Sequence, residues 1–132
     1  MGASRYVALY RTKLARVLLA QDRDEAAAAE LERAQDVRDA PAWRIADARV
    51  RARRGRTEEA VVLARDVVAS LIDRDNITAH AELLVDLAEV LRAHGDLDSA
   101  AAALEEAIAL HEEKGNVLPA ERCRELLAAT AG

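Results

Sequence analysis

The sequence predicts an all-α solenoid of three helix pairs closed by a seventh, capping helix. Three observations predict it. Small residues recur at one spacing, from Ala15 to Ala27, from Ala48 to Ala60 and from Ala88 to Ala100. Two helix-period runs meet at Gly55, and two more at Gly95. The pattern also repeats over a longer, fixed interval: from Asn76 to Asn116, Ile77 to Val117, Leu87 to Leu127, and Ala88 to Ala128. Val37, Trp43 and Ala48 precede Ile77, Leu83 and Ala88 by the same interval. Self-similarity at a period of roughly 20 to 50 residues marks a solenoid.

The elements follow in order. Residues 4–21 read as a helix, with Tyr6, Tyr10, Leu14 and Val17 or Leu18 three and four apart. Gln21 to Asp24 is a polar turn, with Asp24 as the expected N-cap. Residues 25–38 form the second helix, with Ala27, Leu31 and Ala34 on one face. Pro41 suits the first turn of helix three, residues 41–54, which Gly55 stops. Thr57 is the expected N-cap of helix four, followed by the first-turn acids Glu58 and Glu59 and running to about Asp73. After a turn at 73–76, Asn76 caps helix five, which ends at His94-Gly95. Asp96 or Asp98 caps helix six, which ends at Lys114-Gly115. Asn116 starts helix seven, with Pro119 in its first turn and Leu126-Leu127 as its apolar anchors. The expected layout is one domain over residues 1–132, with repeats at about 4–40, 41–75 and 76–115 and a capping helix at 116–130. A lone final helix covers the apolar face that an open repeat would expose.

Composition narrows the function classes. The chain has 132 residues, with no Phe, one Trp and two Tyr, so Leu, Val, Ile and Ala must build the core. The abundance of Ala favours helix and lets helices approach closely. Net charge is −5 but uneven: residues 1–66 carry about +3 and residues 67–132 about −8. That balance argues against nucleic acid as a partner, despite the arginine run Arg49, Arg51, Arg53, Arg54 and Arg56, which has no aromatic interleaving. A single Cys excludes an internal disulfide and fits a reducing compartment. No segment approaches the ~20 apolar residues of a membrane span, and no secretory or myristoylation signal is read at the start. The expected location is the cytoplasm, with no membrane partner.

The spacing resembles the tetratricopeptide repeat. The family's small-residue places fall on Ala15, Ala27 and Ala34, on Ala48, Ala60 and Val67, and on Ala88, Ala100 and Ala107. Its turn glycine falls on Gly55 and Gly95, while Asp22 departs from it. The resemblance implies a right-handed superhelical stack whose first helices line a concave face. A narrower resemblance rests on Ala52-Arg53-Arg54-Gly55, Leu87 to Arg92, Ala103 to Ala107, and Glu113 to Val117 followed by Ala120-Glu121-Arg122. These look like the C-terminal repeat tail of actinobacterial signalling proteins with cyclase and AAA-type ATPase domains. That likeness implies a docking or regulatory tail of a larger signalling or transcription regulator, without either catalytic domain.

Carrying the family's groove places across gives a candidate peptide-binding face of Thr12, Arg16, Ile45, Arg49, Arg53, Glu82, Asp86, Glu89 and Arg92. Such a groove would be basic at one end and acidic at the other. It is either a peptide site with directional charge complementarity or a solvated charged face. Relatives that grip a C-terminal carboxylate use basic and amide groups where this chain has Thr12, Arg16, Ala46, Glu82 and Asp86, and the two acids argue against that clamp. A second candidate surface is self-association through Tyr6, Tyr10, Leu14 and Leu18, which no preceding repeat covers in this sequence. This gives the alternative function, a homodimer module with no peptide ligand. His80, His94 and His111 lack ligand spacing, so no metal is expected, and no phosphate loop or cofactor motif is present. Cys123 aligns with Leu83 and Trp43 and reads as a small core residue, with no base supplied to make it a nucleophile. The adjacent pairs Glu58-Glu59, Glu105-Glu106 and Glu112-Glu113 point about 100° apart on a helix and form no acid–base pair. No enzyme activity is expected.

Overall fold

A computed structural model describes residues 2–71 and 76–131, with side chains over 5–71 and 76–130. Seven α-helices occur among the described residues: α1 (Gly2–Ala20), α2 (Asp24–Glu32), α3 (Pro41–Arg53), α4 (Thr57–Ser70), α5 (Ile77–His94), α6 (Leu97–Lys114) and α7 (Val117–Ala131). One 3₁₀ turn, Gln35–Val37, lies between α2 and α3. The fold is all-helical, as the period predicts. Each helix packs on the next, and the first helices of successive pairs also touch, α1 on α3 and α3 on α5.

One backbone device closes α1, α3 and α5, the first helix of each pair, and also α6. Gly55, Gly95 and Gly115 take φ of 83°, 89° and 79°, and Asp22 takes 59° in the same place. In each case the next amide donates back to the carbonyl five residues earlier: Arg23 to Leu18, Arg56 to Arg51, Asp96 to Leu91 and Asn116 to His111. Asp22 therefore substitutes for the turn glycine, because a short polar side chain tolerates the left-handed region.

The same device corrects two expected caps. The closing bond puts Arg23 and Arg56, not Asp24 and Thr57, immediately before α2 and α4, and neither helix has a side-chain cap. Arginine has no acceptor to offer. At the equivalent place before α6, Asp96 accepts from the Ser99 amide at 3.1 Å, and before α5 Asn76 accepts from Ala79 at 3.0 Å. The turn expected at 73–75 lies outside the described residues.

Helix α2 is shorter than the period implies. The spacing predicts helix over residues 25–38, but α2 stops at Glu32. The Leu31 carbonyl accepts from the Ala34 amide and from the Trp43 indole at 3.0 Å. Ala34 then leaves helical geometry, with φ −109° and ψ 31°. The chain folds back so that Ala34 and Val37 pack on Ala8 of α1.

All nine small-residue places are buried. The main core runs from α3 through α7, around Ile45, Leu84, Leu87, Leu91 and Leu104. A separate cluster joins α1, α2 and α3 around Leu19, Leu31 and Val50. In α7 the inward residues are Ala120, Cys123 and Thr130, with Leu127 half-buried. Leu126, an expected anchor, is instead 38 % exposed. It lies one residue, or about 100°, off the inward stripe. Burial pushes the Cys123 thiol up, as befits a packed side chain.

Candidate interaction surface

The basic and acidic ends of the groove expected from sequence meet each other. Arg16 of α1 reaches Asp86 of α5 at 2.6 Å. Arg49 of α3 donates from Nη1 to Asp86 at 3.1 Å and from Nε to Glu89 at 2.5 Å. Arg53 lies 3.6 Å from Glu89 and also holds Asp24 at 2.6 Å and Asp22 at 3.1 Å. A third bond runs from Arg53 to the Leu19 carbonyl at 3.1 Å. Three arginines from two repeats thus clasp two acids of the third, across first helices far apart in the chain.

Asp86 and Arg49 are buried, while Glu89 is half-exposed. Burial pushes the Asp86 carboxyl up, against the pull of Arg16 and Arg49. Burial alone would lower the Arg49 guanidinium, but the Glu89 hydrogen bond and the charges of Asp86 and Glu89 outweigh it and raise it. A buried ion group of this kind fixes register more surely than it adds stability.

The other sites expected from sequence fall differently. Thr12 is 1 % exposed, with its hydroxyl donating to the Ala8 carbonyl, and Ile45 is 0 % exposed in the main core. Glu82 and Arg92 are exposed and not bonded into the clasp, and Arg92 lines a small cleft beside it with Arg49, Asp86 and Glu89. On α1, Tyr6 and Tyr10 are 77 % and 67 % exposed and Leu14 is half-buried. Leu18 turns inward onto Leu19, Ala27 and Leu31, so the outward stripe runs through Val17, with Val7 beside it.

Sequence reasoning missed a further surface. A cleft of about 710 Å³ lies between α3 and α4, with Trp43, Val62 and Leu63 in its lining. Arg44 pairs with Asp66 on its rim, and Arg51 with Asp47 and Glu59. The buried His111 was also missed; its Nδ1 lies 3.3 Å from the Asn116 amide, which donates to Thr78 at 3.0 Å. The clasp did leave a signal. Arg49 and Glu89 are separated by the same interval as Asn76 and Asn116, so they occupy one repeat place with opposite sign. Such places are neighbours in a stack.

Among the described residues no group of three or more His, Cys, Asp or Glu is placed to hold a metal ion. No described helix is long and apolar enough to cross a membrane. Over residues 19–131 the chain matches the family model described as soluble NSF attachment protein, SNAP. No curated protein and no solved structure matches the chain. The match and the seven helices agree on a helical-repeat build, which supports a protein-interaction scaffold.

Proposed function

The chain belongs to the soluble NSF attachment protein (SNAP) family, and on that premise we propose a non-catalytic docking scaffold, the repeat tail of a larger signalling or transcription regulator in the cytoplasm. The observation that carries this reading is the arginine–carboxylate clasp. It ties α1, α3 and α5 into one preassembled face. A preassembled face loses little entropy on binding. Around the clasp, Glu82, Glu89 and Arg92 offer charge, and Val85 and Leu126 offer apolar surface beside Arg49.

The partner is a peptide or protein segment of mixed charge that binds along this rim. It is not a free C-terminal carboxylate, because the places that would grip one hold Glu82 and Asp86, and Asp86 is already engaged. Selection of peptides from a random display library on the isolated chain tests the proposal. Glu82→Arg and Arg92→Glu should each weaken the selected peptides at least tenfold in calorimetry, while Tyr6→Ala leaves them unchanged. Equal binding by all three variants would sink it. The larger-regulator context is checked by reading the gene upstream of Met1 for cyclase and ATPase domains.

A second reading, self-association with no peptide ligand, is favoured by the uncovered Tyr6, Val7, Tyr10 and Val17 on α1. Concentration-dependent mass by light scattering tests it.

A further inference from the structure

The cleft between α3 and α4 is bridged by an ion pair at each end. Arg44 pairs with Asp66 at one end, and Arg51 pairs with Glu59 at the other. The lining also includes Trp43, Val62 and Leu63, and Val62 is 71 % exposed. The volume of about 710 Å³ falls within the roughly 300–1,000 Å³ of ligand clefts. Two lining charges remain, Arg38 and Glu58. Both are exposed and make no ion pair among the described residues. Arg38 precedes α3 and so lies toward the Arg44–Asp66 end, while Glu58 opens α4 and lies toward the Arg51–Glu59 end. We propose that this cleft binds one amphipathic helix of a partner protein. Its apolar stripe lies on Trp43, Val62 and Leu63, with a carboxylate at the Arg38 end and a cationic side chain at the Glu58 end. The lining includes no residue of the clasp, so this site is additional to the rim proposed above.

The third repeat indicates the kind of occupant. One period on from Arg44, Asp47 and Arg51 stand Leu84, Leu87 and Leu91, all buried in the main core. There a helix, α4, packs along α5. On α3 the same places are only half-buried, and the preceding helix α2 has 9 residues against the 14 of α4. Hydrogen bonding points the same way. Both walls of the cleft are helical, and Arg44 and Arg51 are already engaged by carboxylates. The cleft therefore offers little to the backbone of an extended segment, whereas a helix satisfies its own backbone groups. Charge sets the pattern. Glu58 to Asp66 spans about two turns of α4, or about 12 Å. The partner's carboxylate and cation therefore stand about two turns apart, with apolar anchors at helical spacing between them. The lining carries four carboxylates against three arginines, which disfavours nucleic acid as the occupant.

Trp43 is the one tryptophan of the chain, so its emission reads this cleft directly. The probes are three tryptophan-free, alanine-based helical peptides with a leucine stripe. One is flanked by a glutamate and a lysine, one by two glutamates and one by two lysines. Titrated into the full chain, the mixed peptide should shift Trp43 emission to the blue. It should bind about threefold more tightly than either of the others, the worth of one exposed ion pair. Arg38→Glu should move the preference to the two-lysine peptide, and Glu58→Lys to the two-glutamate peptide. Val62→Asp should abolish the shift. All three positions are exposed, so circular dichroism should show unchanged helix content. Arg92→Glu, on the rim of the clasp, should leave the shift intact, so failure of this site and failure of that one are read apart. No emission shift from any peptide up to about 1 mM overturns the proposal. An order of affinities that both charge variants leave unchanged overturns the roles of Arg38 and Glu58. A blue shift that grows with chain concentration alone assigns the cleft to a second copy and overturns the proposal.

Discussion

The first repeat and the third are built on one plan and held together differently. In the third, α5 and α6 have 18 residues each, with Asn76 and Asp96 as side-chain caps and Gly95 and Gly115 at the turns. Its side chains belong to one continuous core. In the first, α2 has 9 residues, neither a side-chain cap nor a turn glycine, and its core is split into two smaller clusters. Charged groups link this repeat to its neighbours instead. Arg11 holds Glu30, Arg53 holds Asp22 and Asp24, Arg54 holds Glu25, and Arg16 reaches Asp86. The lesson is that a solenoid of small residues can close by packing where its helices are long. Where one helix of the pair is short and the core is split, long side chains reach across to the other repeats.

The largest break in this comparison should come at Asp86. Asp86→Ala leaves Arg49 buried without its full complement of counter-charge, which should cost about 3–5 kcal/mol in urea unfolding. Asp86→Asn should cost less, since its amide oxygen still accepts. The pH dependence has a definite sign. A carboxyl whose folded pKa is raised contributes stability that is fully present below its unfolded value and is lost as pH rises through the folded one. That slope should vanish in Asp86→Asn, as measured by unfolding across the acid range.

Core truncation separates the repeats next. Leu104→Ala and Leu31→Ala each remove a buried leucine and should cost about 2–5 kcal/mol. The first lies in the continuous core and should lower protection over α3–α7 in hydrogen exchange. The second should loosen α1 and α2 while leaving α5 and α6 protected.

The turns give a smaller and opposite pair. Gly95→Ala meets no neighbour within 4 Å, so its cost is backbone strain alone, about 1–2 kcal/mol for a left-handed non-glycine residue. Asp22→Gly relieves such strain but gives up an exposed contact with Arg53, and should raise stability by about 0.5 kcal/mol. Thermal unfolding of the two variants reads both signs. Asp96→Ala should cost about 1 kcal/mol through loss of the cap. Introducing aspartate at the equivalent place, Arg56→Asp, should recover part of that in α4. Chemical unfolding of the pair would show whether the uncapped repeat is improvable.

What the sequence determined was local or periodic. The seven helices, the turns at Gly55, Gly95 and Gly115, the cap at Asn76 and the buried small-residue places all follow from spacing within a single repeat period, while the choice of Asp96 over Asp98 as the cap of α6 came from the structure. A helix records its inward face every three or four residues, and a repeat records its neighbour once per period. Only the tertiary structure decided the rest. The end of α2 depends on an indole arriving from α3 to take the Leu31 carbonyl. The inward turn of Leu18 and the outward turn of Leu126 depend on which neighbour each helix meets. The clasp of Arg16, Arg49 and Arg53 on Asp86 and Glu89 depends on how the stack curves. Read along the chain, those charges form two separate ends of a groove. Bent into a stack they meet, because long side chains respond to distance in space and not in sequence.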